Sequence, residues 1–391
     1  MQQGWEIKKL GEIAEIVGGS TPKTNEPSYW GGEHYWVTPA VLDGAKYISS
    51  TPKSITDAGV KSAHLQLLPI GTVLLSSRAP IGKVAITTVP MYCNQGFKNL
   101  VCSDKLYNEF AYWFLYHNTE YLNSLGTGAT FKEISKRVVE QIPIPIPSLE
   151  EQERIVEILD REFERIDALK ANAEHNLQHA KDLFQSALKQ ELQPKEGWDI
   201  STLGDVCDIQ GGSTPKRTEK AFWDNGTYPW FTVEDIREQG RIITNTKQKI
   251  TKLAWDKLRV FPKNTVLLCC TASLGEYALT KIPLTSNQQF NGLSIKDENL
   301  LNPMYLLHYC STLKDKLFTL SGKTTIDFVA TGKVKQIEIS FPSLVEQEKV
   351  VARLDKLKEH CTALEENYRK TIALCDDMKQ ALLRKAFNGE L

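Results

Sequence analysis

Gly-Gly-Ser-Thr-Pro-Lys stands at 18–23 and again at 211–216, each time after an apolar, strand-like run. Glycines let backbone N–H groups approach a ligand, and the hydroxyls of Ser20, Thr21, Ser213 and Thr214 offer hydrogen bonds. Lys23 and Lys216, with Arg217 beside the second, offer charge to a phosphate. An ordinary tight turn would use the same residues. Three further polar segments come in pairs. SSRAPIGK (76–83) carries Arg78 and Lys83, whereas its counterpart CCTASLGE (269–276) has lost both charges. CNQGFK (93–98) presents Asn94, Gln95 and Lys98, and SNQQFN (286–291) presents Asn287, Gln288 and Gln289. Such amides pair bidentately with adenine, although a satisfied turn explains them equally well. GTGATFKEI (126–134) places Thr130 and Lys132 after glycines, and SGKTTIDFV (321–329) does the same with Lys323, Thr324 and Thr325. The set suits a surface that reads phosphates and base edges. It does not suit catalysis, because no general base, nucleophile or metal set converges.

The remaining chemistry is sparse. There is no GxxxxGK[ST] loop, and Gly126-Thr127-Gly128 lacks the rest of a dinucleotide fingerprint. LNPMY (301–305) resembles the Asn-Pro-Pro-aromatic box of amino-methyltransferases but lacks the second proline and an upstream cofactor loop. It reads as a helix start, with Asn302 as N-cap and Pro303 at the first helical position. Eight cysteines show no zinc spacing and suit reduced core thiols in a cytoplasmic protein; the seven histidines read as forming no close pair at metal spacing. Neither a metal nor a cofactor is expected on this chain. No leader and no membrane span are expected either, since the start lacks a basic stretch before an apolar run and no apolar stretch is long enough to span.

These loops must be positioned by a duplicated framework. GWEIKKLGEIAEIVGGSTPK from Gly4 returns as GWDISTLGDVCDIQGGSTPK from Gly197, an offset of 193. Val73-Leu74-Leu75 returns as Val266-Leu267-Leu268, and Pro147-Ser148-Leu149 as Pro342-Ser343-Leu344. The chain divides into 1–148, 149–196, 197–342 and 343–391. Short apolar runs between turns, plus one helical patch each (NEFAYWFLYHN and NPMYLLHYCST), make 1–148 and 197–342 α+β domains of mainly short strands. The other two segments are helical. Ile155, Leu159, Glu162, Ile166, Leu169, Ala173, Asn176, Ala180, Leu183 and Ala187 alternate spacings of four and three. Val350, Leu354, Leu357, Cys361, Leu364, Tyr368, Thr371, Cys375, Met378 and Leu382 do the same. That is a heptad seam. Ser148 and Ser343, three residues before Glu151 and Glu346, have capping-box spacing. Connectivity makes the two helices antiparallel if they pair, giving a pseudo-two-fold rod with a globular domain at each end. The other possibility is that each helix packs only on its own globular domain. The whole chain carries a net charge of −1, yet 149–196 holds seven Lys/Arg against twelve Asp/Glu, so the remainder is net positive and local basic faces are allowed. Two matched readers fit a ligand with two half-sites, and double-stranded DNA is the natural one. Because Arg78 faces Thr271, Lys83 faces Glu276 and Gly96 faces Gln289 across the repeat, the two half-sites are expected to differ.

In these features the chain resembles the specificity subunit of a type I restriction–modification system over essentially its whole length. The resemblance rests on the GW…LG…GGSTPK opening of each domain, on YWGG (29–32), HYWVT (34–38) and YPWFT (228–232), and on LLSSRAPIGK, CNQGFK and the GTGATFKEI region. It rests also on the helix entries PIPIPSLEEQERIVEILD (143–160) and ISFPSLVEQEKVVARLD (339–355). It implies a chain that is not itself catalytic. Each target-recognition domain would read one half of a split DNA sequence, and the coiled coil would space them. Two methyltransferase subunits, using S-adenosylmethionine on adenine N6, would dock on it, with two translocating restriction subunits that need ATP and magnesium. The second domain departs from the pattern by lacking the arginine of SSRAPIGK, and no helix precedes Gly4. Two other readings compete: a self-contained DNA methyltransferase or nuclease with an atypical site, and a rod that binds only proteins.

Overall fold

The computed structural model describes residues 4–78, 80–128, 132–322 and 328–391. It forms two compact units, Met1–Glu174 with Lys370–Leu391, and His175–Arg369. Each unit is one globular domain with parts of both long helices, so the units cut across the four segments read from the sequence.

In the first unit, five strands lie in the order Ala14–Gly18, Lys98–Cys102, Val73–Leu75, Val84–Thr87, Tyr47–Ile48. All neighbours are antiparallel except the last pair, which is parallel. A three-stranded sheet places Trp30–Val37 between Ser54–Ile55 and Tyr92–Cys93, and Glu6–Lys9 pairs with Pro143–Ile146. The second unit repeats this arrangement strand for strand. Its five-stranded order is Cys207–Gly211, Phe290–Ile295, Val266–Cys269, Tyr277–Thr280, Ile242–Ile243, and its three-stranded sheet has Tyr228–Phe231 at the centre.

The central strands explain their unbroken apolar sequences. Val73 and Leu75 face a core with Phe110 and Trp113 of the helix Asn108–His117, while Leu74 faces a second core with Val37, Met91 and Phe97. Val266 and Leu268 face one core and Leu267 and Cys269 the other in the second unit. A strand buried on both faces has no polar alternation to show. All eight cysteines are free, and burial pushes the Cys93, Cys102 and Cys207 thiols up to about 12.

The long helices span Leu149–Glu191 and Leu344–Asn388. Their direction is fixed within each unit. In the first, Lys170 pairs with Asp376 at 2.7 Å and Asp167 with Lys379, so advancing along one helix retreats along the other. In the second, Arg353 pairs with Glu191 at 2.8 Å. The pair is antiparallel, as connectivity requires of two paired helices. The start of each helix also packs on its own domain: Ile155, Val156, Leu159 and Phe163 join the core of the first, and Val350 and Leu354 that of the second. The helices therefore pair, which overturns the alternative that each packs only on its own globular domain, while the start of each also joins its domain's core.

The seam is narrower than the heptads suggest. Ile166, Ala173, Ala180, Cys361 and Cys375 are buried and Leu357 is half-buried. Leu169 and Leu364, both expected in the seam, are 46% and 40% exposed, and Leu183 and Met378 are exposed with them. Two helices alone cover a narrow stripe on each other, so the second apolar row lies at the rim. The capping box is half-formed. Ser148 Oγ accepts from the Glu151 N–H at 3.3 Å, but the Glu151 carboxylate turns to Arg154, and Glu346 turns to Lys349. Asn302 caps its helix as expected, accepting from the N–H groups of Met304 and Tyr305.

Each helix start is tied to its domain by one buried glutamine. Gln152 Oε1 accepts the Tyr107 N–H at 2.8 Å, and Nε2 donates to the carbonyls of Lys105 and Pro147. Gln347 does the same with the Asn302 N–H and the carbonyls of Leu300 and Pro342. Farther along, the Trp113 indole donates to Asp160 at 2.9 Å, and Lys46 reaches Asp160 at 2.6 Å. The repeat puts His308 and Asp355 in those places, 2.8 Å apart.

Gln152→Leu strands three backbone groups, and each buried unsatisfied group costs about 1–3 kcal/mol. Urea unfolding should show a loss of more than about 2 kcal/mol; a change inside experimental scatter would mean that water replaces the amide. His308 supplies a pH test. Burial pushes its pKa down, against the opposing pull of Asp355. The unfolded chain then takes up the proton first as pH falls below about 6.5, and stability drops on the acid side of that value. In His308→Gln the donor to Asp355 is kept and the proton uptake is gone. Its denaturation midpoint should fall less than the parent's between neutral and mildly acid pH; equal losses would remove His308 from the acid response.

Candidate nucleic-acid interface

The second glycine of each GGSTPK loop is where two loops meet. A Cβ on Gly19 would lie 2.1 Å from the Cys93 carbonyl oxygen and 2.4 Å from that of Asn94. On Gly212 it would lie 2.1 Å from Ser286 Oγ and 2.4 Å from the Asn287 carbonyl oxygen. The close approach lets the Ser20 N–H donate to Cys93 O at 3.1 Å and the Ser213 N–H to Ser286 O at 2.8 Å. Thr21 then donates to Gln95 Oε1, and Thr214 to Gln288 Oε1. Loop and amide turn form one edge in each domain.

Two tryptophans brace that edge. Trp36 donates its indole N–H to the Ser20 carbonyl at 3.2 Å and Trp30 to the Lys23 carbonyl at 3.1 Å. Trp230 and Trp223 make the same bonds to Ser213 and Lys216, at 3.3 and 3.2 Å. The rings of each pair meet edge-on, 5.0 Å apart in the first domain and 5.1 Å in the second. Sequence reasoning used YWGG, HYWVT and YPWFT only as family marks and missed this role. The signal was there: Trp30 returns as Trp223 at the same offset of 193 as the loop it holds.

The candidate residues separate into framework and surface. Asn94 Oδ1 accepts the Gly96 N–H at 2.9 Å, and Asn287 bonds both the N–H and the side-chain oxygen of Gln289. These three amides are spent within their turns, while Gln95 and Gln288 stand exposed at the tips. Lys23, Lys132 and Lys216 are exposed. Arg217 has its own partners, Gln248 at 2.9 Å and both tryptophan rings. Thr130 and Lys323, Thr324 and Thr325 lie outside the described residues.

Arg78 and Lys83 do not act together. Arg78 lines a groove with Thr38, Pro39, Asn94, Gly96 and Glu133. Glu133 lies 3.7 Å from Arg78 and 3.1 Å from Lys98, whose side chain is only 14% exposed. Lys83 instead donates to the Leu42 carbonyl at 2.7 Å and lines a different cleft with Tyr112 and Tyr116. The Lys83 ammonium thereby holds its loop to the Leu42 turn. The second domain has neutral groups in the corresponding places: Thr271 bridges Phe328, and Asn291 accepts from Thr331 at 2.9 Å.

One histidine reading also changes. His175 and His179 stand four apart on the first long helix with ring centroids 3.9 Å apart, a close pair at helical spacing. No third His, Cys, Asp or Glu completes a metal set among the described residues, nor is any described helix long and apolar enough to cross a membrane.

The glycine contacts predict a sharp contrast. Gly19→Ala must push the two loops apart, an overpacking cost of about 1–3 kcal/mol, whereas Gly18→Ala meets nothing nearer than 3.8 Å. Thermal unfolding followed by tryptophan fluorescence should show a lowered midpoint for the first variant only. Equal behaviour would mean that the edge is not a close-packed joint.

The chain is similar to known proteins over both of its repeats. The family described as "Type I restriction modification DNA specificity domain" matches residues 2–178 and again 195–374. The MjaIX specificity subunit of Methanocaldococcus jannaschii is 29% identical over 99% of this chain and 93% of its own length. The EcoprrI specificity subunit of Escherichia coli is 35% identical over 39% of this chain and 41% of its own. The HsdS subunit of Thermoanaerobacter tengcongensis shares the fold with a TM-score of 0.68 at 21% identity, covering 100% of this chain and 98% of its own. With the family pattern matched once in each domain, the chain belongs to the type I restriction–modification specificity subunits and carries two target-recognition domains.

Proposed function

We propose that the two domains read the two halves of a split DNA target independently, each through its loop-and-amide edge. The observation that carries this is the combination of one frame with two contents. The glycine contact, the Thr–Gln bond and both indole–carbonyl bonds recur, while Arg78, Lys98 and Glu133 give way to Thr271, Asn291 and Phe328. Phosphate contacts position and base contacts specify, so a common frame with different edge groups reads different sequences in one register.

On this reading the chain works in the cytoplasm and does no chemistry itself. Methyltransferase subunits would supply adenine-N6 methylation with S-adenosylmethionine, and restriction subunits would supply translocation and cleavage with ATP and magnesium. The long helices would offer the docking surface, and the exposed Leu169 and Met378 in the first unit, and Leu183 and Leu364 in the second, support that use. The self-contained methyltransferase alternative has no residue set on the described surface to support it.

Exchange of residues 1–148 for the matching domain of a relative tests independence. In a host carrying the whole system, methylation-sensitive sequencing should show one half of the target changed and the other kept. Simultaneous change of both halves would refute independent reading. The purified chain, incubated alone with DNA and labelled S-adenosylmethionine, should transfer no methyl group; transfer would return the protein to the enzymes.

A further inference from the structure

The tryptophan pairs carry a charge exchange between the two domains. In the second, Arg217 lies over both rings, with its guanidinium carbon 4.0 Å from the centre of Trp223 and 4.6 Å from that of Trp230. One of its nitrogens donates to Gln248 Oε1 at 2.9 Å. In the first, Thr24 stands where Arg217 stands, and Lys53 stands where Gln248 stands. Hydrogen bonds fix both equivalences. Thr24 and Arg217 each follow the lysine whose carbonyl the outer indole holds. The hydroxyls of Thr51 and Thr246 accept the Trp36 and Trp230 N–H groups and donate to the carbonyls of Lys53 and Gln248, at 2.6 and 2.7 Å. The Lys53 ammonium lies 5.9 Å from the Trp30 ring. The cation lost at one position has been regained at the other, and each tryptophan pair keeps one.

Bracing the loop does not require that cation to come from a particular place. The indole–carbonyl bonds agree to within 0.1 Å between domains although the cation comes from a different chain segment in each. What the exchange preserves is one positive charge on an aromatic platform beside the GGSTPK edge. Both cations are exposed. A guanidinium has five N–H donors, so one held over aromatic rings and bonded once still has donors to offer a phosphate, and its confinement there removes part of the side-chain entropy that binding would otherwise cost. In the first domain the space beside Lys53 is an open notch lined by Thr24, Trp30, Gly31, Trp36 and Pro52.

We propose that each domain clamps one DNA backbone phosphate with a cation preset on its tryptophan pair, Lys53 in the first domain and Arg217 in the second. The proposal rests on the reading that the paired loop edges face DNA.

The test is the salt dependence of binding of the full chain to a random-sequence duplex, followed by fluorescence anisotropy. Each phosphate contact contributes about 0.9 to the slope of log affinity against log salt. Lys53→Gln and Arg217→Thr, each installing the other domain's residue, should both lower that slope by about 0.9 and together by about 1.8. Between 50 and 200 mM salt this makes the fall in affinity about threefold smaller for each lost contact. Adding Thr24→Arg to the first variant, or Gln248→Lys to the second, should restore the slope, because the charge returns to the platform from the other position. Weaker binding at an unchanged slope would overturn the clamp and leave these residues as braces. Loss of slope that the relocated charge fails to restore would overturn the platform. A parent chain without DNA affinity would overturn the DNA reading itself, and the clamp with it.

Discussion

The buried glutamine at the first turn of each long helix is the joint on which the rest depends. Gln152 and Gln347 are fully buried, and each meets one N–H and two carbonyls contributed by the loop before a domain helix and by the helix's own approach. Only an amide serves there. A carboxylate could accept from the Tyr107 N–H but could not donate to two carbonyls, and an apolar side chain would leave all three groups unpaired in a dry site. The amide's partners are all backbone atoms, so the joint is indifferent to what the reading loops carry. Trp113 with Asp160, and His308 with Asp355, repeat the logic a few turns on with different partners. Helix and domain thus behave as one body in each unit, and changes at the loops have no route by which to loosen it.

The same economy appears at the opposite face of the central strand. The loop edge is held by glycines at a close approach, by serine N–H groups on carbonyls and by indoles on carbonyls. Apart from the tryptophans and the Thr–Gln pair, nothing in that frame is a side chain that would also have to read DNA. Residues at Arg78, Lys98 and Glu133, or at Thr271, Asn291 and Phe328, can therefore change without moving the backbone that presents them. Lys83 marks the boundary of this freedom: its ammonium is already committed to the Leu42 carbonyl, so in the first domain it belongs to the frame.

Much of the architecture was legible because it is local or repeated. The duplication, the short-strand domains, the Asn302 cap and the antiparallel helices all follow from spacing. What spacing cannot give is which neighbour covers a side chain. Leu169 and Leu364 have flawless heptad positions, yet only one partner helix is present to cover them, and they lie at the rim. Asn94 and Asn287 had the right chemistry for adenine, but the nearest N–H group, two residues on, claims the carbonyl oxygen first. His175 and His179 were visible at a spacing of four, and the reading that the histidines form no close pair overlooked them. Gln152 stood within the helix entry PIPIPSLEEQERIVEILD only as a family mark and not as a joint, since its three partners lie up to 47 residues away in sequence.

Affinity and specificity are carried by different residues in such a design, and this has a consequence for how a half-site can change. If the platform cations hold the backbone, each domain keeps its phosphate contact whatever its edge reads, because exchange between Thr24/Lys53 and Arg217/Gln248 conserves the charge while everything around it varies. The edges differ far more in character. The first groove has two cations sharing one carboxylate, whereas the second has Thr271, Asn291 and an exposed Phe328. Charged groups in the first suit hydrogen-bond acceptors on purines, and an apolar ring in the second suits a thymine methyl. A domain could then drift from one kind of edge to the other without first losing its hold on DNA, provided the tryptophan pair and one cation persist. Position on the duplex would be fixed by parts that do not discriminate, and discrimination would be left to the groups that differ between the two edges.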